Sequence, residues 1–281
     1  MILFFGMNVT GAASQNLEQT YQLAQEAYQR DDHQQAISYY QRVLFFDHEQ
    51  AYTQLIFEKL AESHFQLKSY EESAFFFDIA YNLENGNTSK QNTLLIRRAL
   101  CYIYLQEYQN ALKDLYLLEA PKEATAMQAA LLEGMCQFRL NNFDAAQEAL
   151  NHALKDEGDT VILVNNYRRL DKINRKSPKK AKVFSMIIPG SGLIYVGDWK
   201  NGSSSLLLVG GLTTLMVVST INTGFVNAFL NIFPWYQRYY MGGYKLTEKV
   251  AREKLDTRRL KLLQQMIDEI GKANAAASYQ E

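Results

Sequence analysis

Through the first 157 residues, apolar positions recur every three or four residues without the alternation that marks a strand, so the pattern predicts paired helices. Four stretches fit one template: LAQEAYQRDDHQQAISYYQRVL, LAESHFQLKSYEESAFFFDIAY, RALCYIYLQEYQNALKDLYLL and EGMCQFRLNNFDAAQEALNHAL. A small residue (Ala24, Ala61, Ala99, Gly134) is followed twelve positions later by a second (Ala36, Ser73, Ala111, Ala146), and seven further on by a third site (Val43, Ala80, Leu118, Ala153). A ring usually lies three before the second small residue (His33, Tyr70, Tyr108, Phe143), and a large residue four after it (Tyr40, Phe77, Leu115, Leu150). Antiparallel helices approach closely only where neither carries bulk, and large side chains fill the gaps on either side.

This arrangement resembles the tetratricopeptide repeat over about residues 17–157, and residues 17–160 are assigned to four such repeats. The copies recur at 37, 38 and 35 residues between second small positions, longer than the family's repeat of about 34, so longer turns are expected between repeats. The family's terminal proline survives only as Pro121. The resemblance implies binding of a protein partner, a peptide or helix, in a concave groove lined by the first helices. On the family's pattern the groove positions are Tyr21, Gln25, Tyr28, Gln29, Glu58, Glu62, Phe65, Gln66, Ile96, Leu100, Ile103, Tyr104, Leu131, Met135, Phe138 and Arg139. With Arg139 the lone cation of that set, a clamp for a C-terminal carboxylate is not expected. The competing reading is that these rings and aliphatics pack on neighbouring repeats or on the C-terminal part.

Beyond the fourth repeat the pattern changes. Residues 161–182 read as a basic linker, with eight Lys or Arg and one acid between 168 and 182. Residues 183–197 and 201–237 then carry no charge, and 183–244 is assigned as a membrane domain. Residues 203–222 are long enough to span a bilayer. Residues 225–243 form a weaker second span because Asn227, Asn231, Pro234 and Arg238 are costly in lipid, and Asn222-Thr223-Gly224 would join the two. Segment 183–197 is too short to cross and is expected to be re-entrant or interfacial. Its run MIIPGSGLIYVG is similar to the Pro-Gly-x-Gly-x-x-Tyr-x-Gly signature of small bacterial two-helix membrane domains, matched by Pro189, Gly190, Gly192, Tyr195 and Gly197. No Gly-Lys-Ser/Thr follows, so these glycines are not a phosphate loop. Residues 245–272 read as an amphipathic helix, lying on anionic lipid or docked on the repeats, and 273–281 as a disordered tail.

Charge sharpens the division. The formal total is -1, yet residues up to Thr160 hold 11 Lys+Arg against 22 Asp+Glu, and the remainder 18 against 8. An acidic repeat half argues against nucleic acid as a partner, and the basic half beside its apolar runs points to membrane lipid. Residues 1–16 contain an apolar run ending in Gly11, Ala12, Ala13 and Ser14 but no basic start, so a signal-peptide remnant and a frayed apolar terminus both stand open. Basic flanks place both hairpin ends in the cytoplasm, whereas a cleaved signal places the repeats outside it. The expectation is a membrane-associated protein of a bacterial envelope, with the side of the repeats undetermined.

No catalytic chemistry is expected. The four histidines lack ligand spacing, Cys101 and Cys136 read as small buried apolar residues, and no Gly-x-Ser-x-Gly elbow exists, so neither metal nor cofactor is implied. The sequence therefore predicts an all-α chain: a helix-pair solenoid, a membrane-embedded hairpin and an amphipathic helix. The function expected is that of a membrane-anchored scaffold or adaptor. The alternative is a membrane-active protein that binds lipid or assists membrane-protein insertion or envelope assembly through its C-terminal part.

Overall fold

With four prolines in 281 residues, little in this chain interrupts helix. The computed structural model describes residues 9–155 and 160–278, and among these every regular element is a helix. The chain divides into two compact units, residues 1–157 and 158–281, each described below by itself.

Unit 1 is a succession of helix pairs: α1 (Val9–Gln29) with α2 (His33–Phe46), α3 (Thr53–Gln66) with α4 (Tyr70–Leu83), α5 (Thr88–Tyr104) with α6 (Tyr108–Tyr116), and α7 (Glu123–Arg139) with α8 (Phe143–His152). Each helix packs on the next one in sequence, an arrangement compatible with a tetratricopeptide-like solenoid. The residues expected at close crossings are buried: Ala24, Ala36, Ala61, Ser73, Ala99 and Ala111 are fully enclosed, as is Ala146 to within 1%. At Gly134 a Cβ would lie 2.6 Å from the Leu150 side chain, which is why that copy carries glycine. Ser73 satisfies its hydroxyl by donating to the Ala61 carbonyl at 2.8 Å, across the α3–α4 contact. Tyr40, Phe77, Leu115 and Leu150 fill the space beside these crossings.

Each pair turns in the same way, which the template did not reveal. Asp31, Lys68, Gln106 and Asn141, all five residues before the second small position, have φ between 59° and 64°. In each copy the next residue's N–H donates back to a carbonyl five residues earlier, as Ser69 does to His64 at 2.9 Å and Glu107 to Tyr102 at 2.8 Å. This left-handed closure satisfies helix-end carbonyls and reverses the chain in three residues. The longer repeats are accommodated between pairs. Asp47, buried, accepts from the N–H groups of Ala51 and Tyr52 and from the Thr53 hydroxyl. Asn92 exchanges two hydrogen bonds with the backbone of Glu119, holding the turn that carries Pro121.

Unit 2 comprises α9 (Thr160–Asn174), α10 (Pro178–Ile187), α11 (Ser191–Tyr195), α12 (Trp199–Thr223) and α13 (Phe225–Ser278). Three expectations are revised. The basic segment 161–182 is not an open linker: α9 and the start of α10 lie in it, with Ser177 capping α10 ahead of Pro178. Residues 225–243 and 245–272 are not separate elements but one helix, because nothing between them breaks helix strongly enough. Pro234 is tolerated within it, and Gly242-Gly243 costs only about 1 kcal/mol per residue. The stretch from 273 is helical through Ser278. The signal-peptide question concerns residues 1–8, which lie outside the described residues, and residues 9–16, which lie in α1.

The apolar face of α13, expected on lipid or on the repeats, is covered within its own unit by α9 and α10. Ala251, Leu255, Leu262, Met266 and Ile270 are buried there together with Leu163 and Leu170 of α9 and Ala181 of α10. By contrast α12, joined to α13 through Gly224 at φ 89°, packs mainly on α13 and α11, and only 6% of its most apolar stretch is buried.

Candidate functional site

The surface formed by the first helices is held by charge at one end and by rings farther along. Glu62 of α3 is the centre of the charged part. Its carboxylate accepts from the Tyr28 hydroxyl of α1 at 2.7 Å and from Lys59 at 2.8 Å, and it pairs with the Arg97 guanidinium of α5. Lys59 also lies 4.5 Å over the Tyr28 ring. Burial pushes the Glu62 pKa up, but the hydrogen bonds from Lys59 and Tyr28 and the charges of Lys59 and Arg97 outweigh it, so the carboxyl sits below its usual value. The Tyr28 hydroxyl moves the opposite way, raised by burial and then by its bond to Glu62.

Lys59 and Arg97 were absent from the predicted groove set. Both lie two residues before the first small position of their copies, so a cation repeated at one template position was the signal that could have found them. Lys90 joins this edge through Glu84 at 2.9 Å and Glu58 at 3.5 Å.

The aromatic part joins α3 to α5. Phe65, Tyr70 and Tyr104 form a closed cluster, with Tyr70 and Tyr104 stacked at 4.6 Å and Phe65 edge-on to both. Tyr104 stays 56% exposed, whereas Phe65 is half-buried. Arg139 lies on Tyr108, donating to its hydroxyl at 2.7 Å with the guanidinium 5.2 Å from the ring centre. Leu100, Ile103 and Met135 are partly buried against the α5–α7 core, and Leu131 is half-buried. Tyr21 packs on Tyr52 and Tyr40.

Two predicted groove residues do not face an open surface. Ile96 and Phe138 are each 4% exposed, Ile96 inside the core cluster and Phe138 edge-on to Phe143 of its own pair. Ile96 shares its core with Ala129 and Leu132 of the next pair, whereas Phe138 is taken up by the second helix of its own pair. Gln25, Gln29 and Gln66 are exposed.

The Pro-Gly motif of unit 2 forms a tight crossing. Gly190 has φ 82°, and a Cβ on it would lie 2.0 Å from the Gly202 carbonyl oxygen. One on Gly192 would lie 1.7 Å from the Ala181 oxygen, and the Gly192 N–H donates to the Ser185 hydroxyl. Gly197, also at φ 82°, carries the Arg258 guanidinium against its backbone. The Tyr195 ring packs edge-on to Phe184, while its carbonyl accepts from Lys176 at 2.9 Å. Pro189 follows the end of α10, where no N–H is needed. The motif residues therefore bring α10, α11 and α12 into backbone contact, and the glycines are accounted for by packing.

Along the hairpin, polar side chains bond inward. Thr213, Thr214, Thr220 and Thr223 donate to carbonyls four residues back, and so do the Asn227 and Asn231 amides. Large apolar groups face outward, among them Leu207, Leu215, Ile221 and Leu230. Of the basic residues in the first part of the long helix, Lys249, Arg252 and Lys254 pair with Glu253, Glu248 and Asp198.

Elsewhere, burial pushes the Cys101 thiol to about 11 and the Cys136 thiol to about 12, so neither ionises readily. Among the described residues no group of three or more His, Cys, Asp or Glu could hold a metal ion. Comparison with models of known protein families and with curated proteins returns no match.

Proposed function

We propose that the protein is a membrane-anchored scaffold, with α12 and the first part of α13 embedded in lipid and the first-helix surface of unit 1 holding a peptide or helix of a partner protein. The observation that carries the anchor is the exposure of α12: a 25-residue helix, long and apolar enough to cross a membrane, of which so little is covered. The hydroxyls and amides bonded to their own backbone lower the cost of carrying them into lipid. The hairpin tip at Asn222-Thr223-Gly224 has no charge, whereas Lys179, Lys180, Lys200 and Lys245 flank its base. By the positive-inside rule the base, and with it both ends of the hairpin, faces the cytoplasm. The likeness of the Pro-Gly motif to bacterial membrane domains supports a bacterial envelope as the setting.

The scaffold reading rests on the resemblance to tetratricopeptide repeats and on the ring and cation left accessible at one end of the surface, Tyr104 and Arg139, beside Leu100 and Met135. The competing reading, action on lipid or on inserting proteins, is favoured by the number of predicted groove residues already engaged within unit 1. Cross-linking in native membranes separates the two. Tyr104→Ala with Met135→Ala and Arg139→Ala is expected to abolish capture of a specific partner while membrane association persists, since rings and arginines commonly dominate binding energy. Capture of the same partners by this variant would overturn the scaffold reading.

A further inference from the structure

Between α9 and α13 lies a cleft of about 370 Å³ walled by four cations, Arg169 and Lys172 on one helix and Arg258 and Lys261 on the other. Each pair is three residues apart, so both members project from one face of their helix. The surface that lines the cleft is mostly apolar, supplied by Ile173, the buried Leu262 and the aliphatic stems of the Arg and Lys side chains. Five other cations of the unit, Lys182, Lys249, Arg252, Lys254 and Arg259, each have a carboxylate within 4.0 Å. Among the described residues none of the four cleft cations has such a partner.

Two carboxylates of α13 are engaged elsewhere. Asp256 pairs with Arg259, and Glu269 accepts from the Asn166 amide. Arg169 is oriented by Gln265, whose side-chain oxygen accepts from it at 3.0 Å, and Arg258 by the Gly197 carbonyl at 3.2 Å. Both are neutral acceptors that fix a guanidinium without cancelling its charge.

We infer that this cleft binds a water-soluble phosphate ester or pyrophosphate. The guanidinium forks would engage phosphate oxygens, the two ammonium groups would supply additional charge, and the organic portion would lie on Ile173 and Leu262. Four uncompensated cations around one cleft repel one another, and an anion of two or more charges relieves that repulsion on binding. A lipid headgroup offers the same phosphate chemistry but not the position. Arg258 lies 13 residues beyond Lys245, the basic flank of the hairpin, which is about 20 Å along the helix. The headgroup layer on either face of a bilayer is only about 5–8 Å deep. This choice of a soluble source rests on the membrane placement proposed above, whereas the site itself does not.

The test uses the full-length protein in neutral detergent, with pyrophosphate as the probe at constant ionic strength. Thermal unfolding of unit 2 is expected to shift upward with pyrophosphate and to saturate, because a ligand bound only by the folded state stabilises it. Lys172→Gln with Lys261→Gln, two side chains without a hydrogen-bond or ion-pair partner among the described residues, is expected to weaken the affinity by roughly tenfold or more. Without ligand this variant should unfold no earlier than wild type, since removing two like charges relieves repulsion. Absence of a shift in the wild type, or the same shift in the variant, would overturn the inference. A second arm measures binding to phosphatidylcholine vesicles containing phosphatidylglycerol. If the variant loses vesicle binding while pyrophosphate leaves the wild type unchanged, the ligand is a lipid headgroup and the soluble-anion assignment fails. Failure of the membrane anchor itself would register separately, in carbonate extraction.

Discussion

Gly190 and Gly202 meet backbone to backbone: a Cβ added to the first would lie 2.0 Å from the carbonyl oxygen of the second. A residue at φ 82° that also faces a neighbouring main chain has two independent reasons to be glycine. Gly190→Ala is therefore expected to destabilise unit 2 by about 2–4 kcal/mol, combining left-handed strain of about 1–2 kcal/mol with overpacking against a carbonyl that cannot rotate away. Gly210→Ala is the control, because a Cβ there meets nothing within 4 Å. Thermal unfolding in detergent that ranks the two variants equally would contradict the crossing.

The repeat register is tested in the same way. Ala111 and Ala146 are buried where paired helices touch. Ala111→Leu and Ala146→Leu should each cost about 1–3 kcal/mol, because the added methyl and methylene groups force the helices apart. Unchanged chemical denaturation of both would remove the register.

Unit 1 is expected to lose stability in mild acid through His64. Both ring nitrogens are buried without hydrogen-bond partners, and the ring stacks on Phe76 at 5.2 Å. Burial lowers its pKa below the usual 6.5, and the charge of Glu72 only partly opposes that. The unfolded chain therefore takes up a proton below pH 6.5 that the folded repeat accepts only at lower pH. The stability associated with the neutral ring is complete above 6.5 and falls as pH drops through that value. Glu62, held below its usual pKa, adds a second loss beginning near pH 4.5. His64→Phe should remove the upper part of the decline and leave the lower part. A wild-type stability flat from pH 7 to 5 would contradict the first of these assignments.

Extraction of membranes with alkaline carbonate tests the hairpin. The full-length protein is expected to stay with the membrane pellet. Leu215→Arg, at an exposed mid-helix position, is expected to cost about 2.5–3.5 kcal/mol of insertion and to increase the extracted fraction. Release of the wild type would contradict the proposed anchor.

The separation of the chain into helix pairs and an apolar arm was legible in the residues alone, because both depend on local periodicity. Ala36, Ser73, Ala111 and Ala146 mark close contacts by lacking bulk, and 37 uncharged residues mark an arm that water does not favour. The turn at Gly224 was likewise readable. What spacing could not supply was which side chain each position would meet. Ile96 and Phe138 share a periodic face with Leu100 and Met135, yet neighbouring helices enclose the first two and leave the others partly open. The Tyr28–Glu62–Arg97 connection spans three helices, and the cleft between α9 and α13 brings together cations about ninety residues apart. The fusion of two expected elements into α13 has the same cause. Local propensity near Gly242 and Gly243 is weak, and packing of the long helix against α9, α10 and α12 decides that it continues.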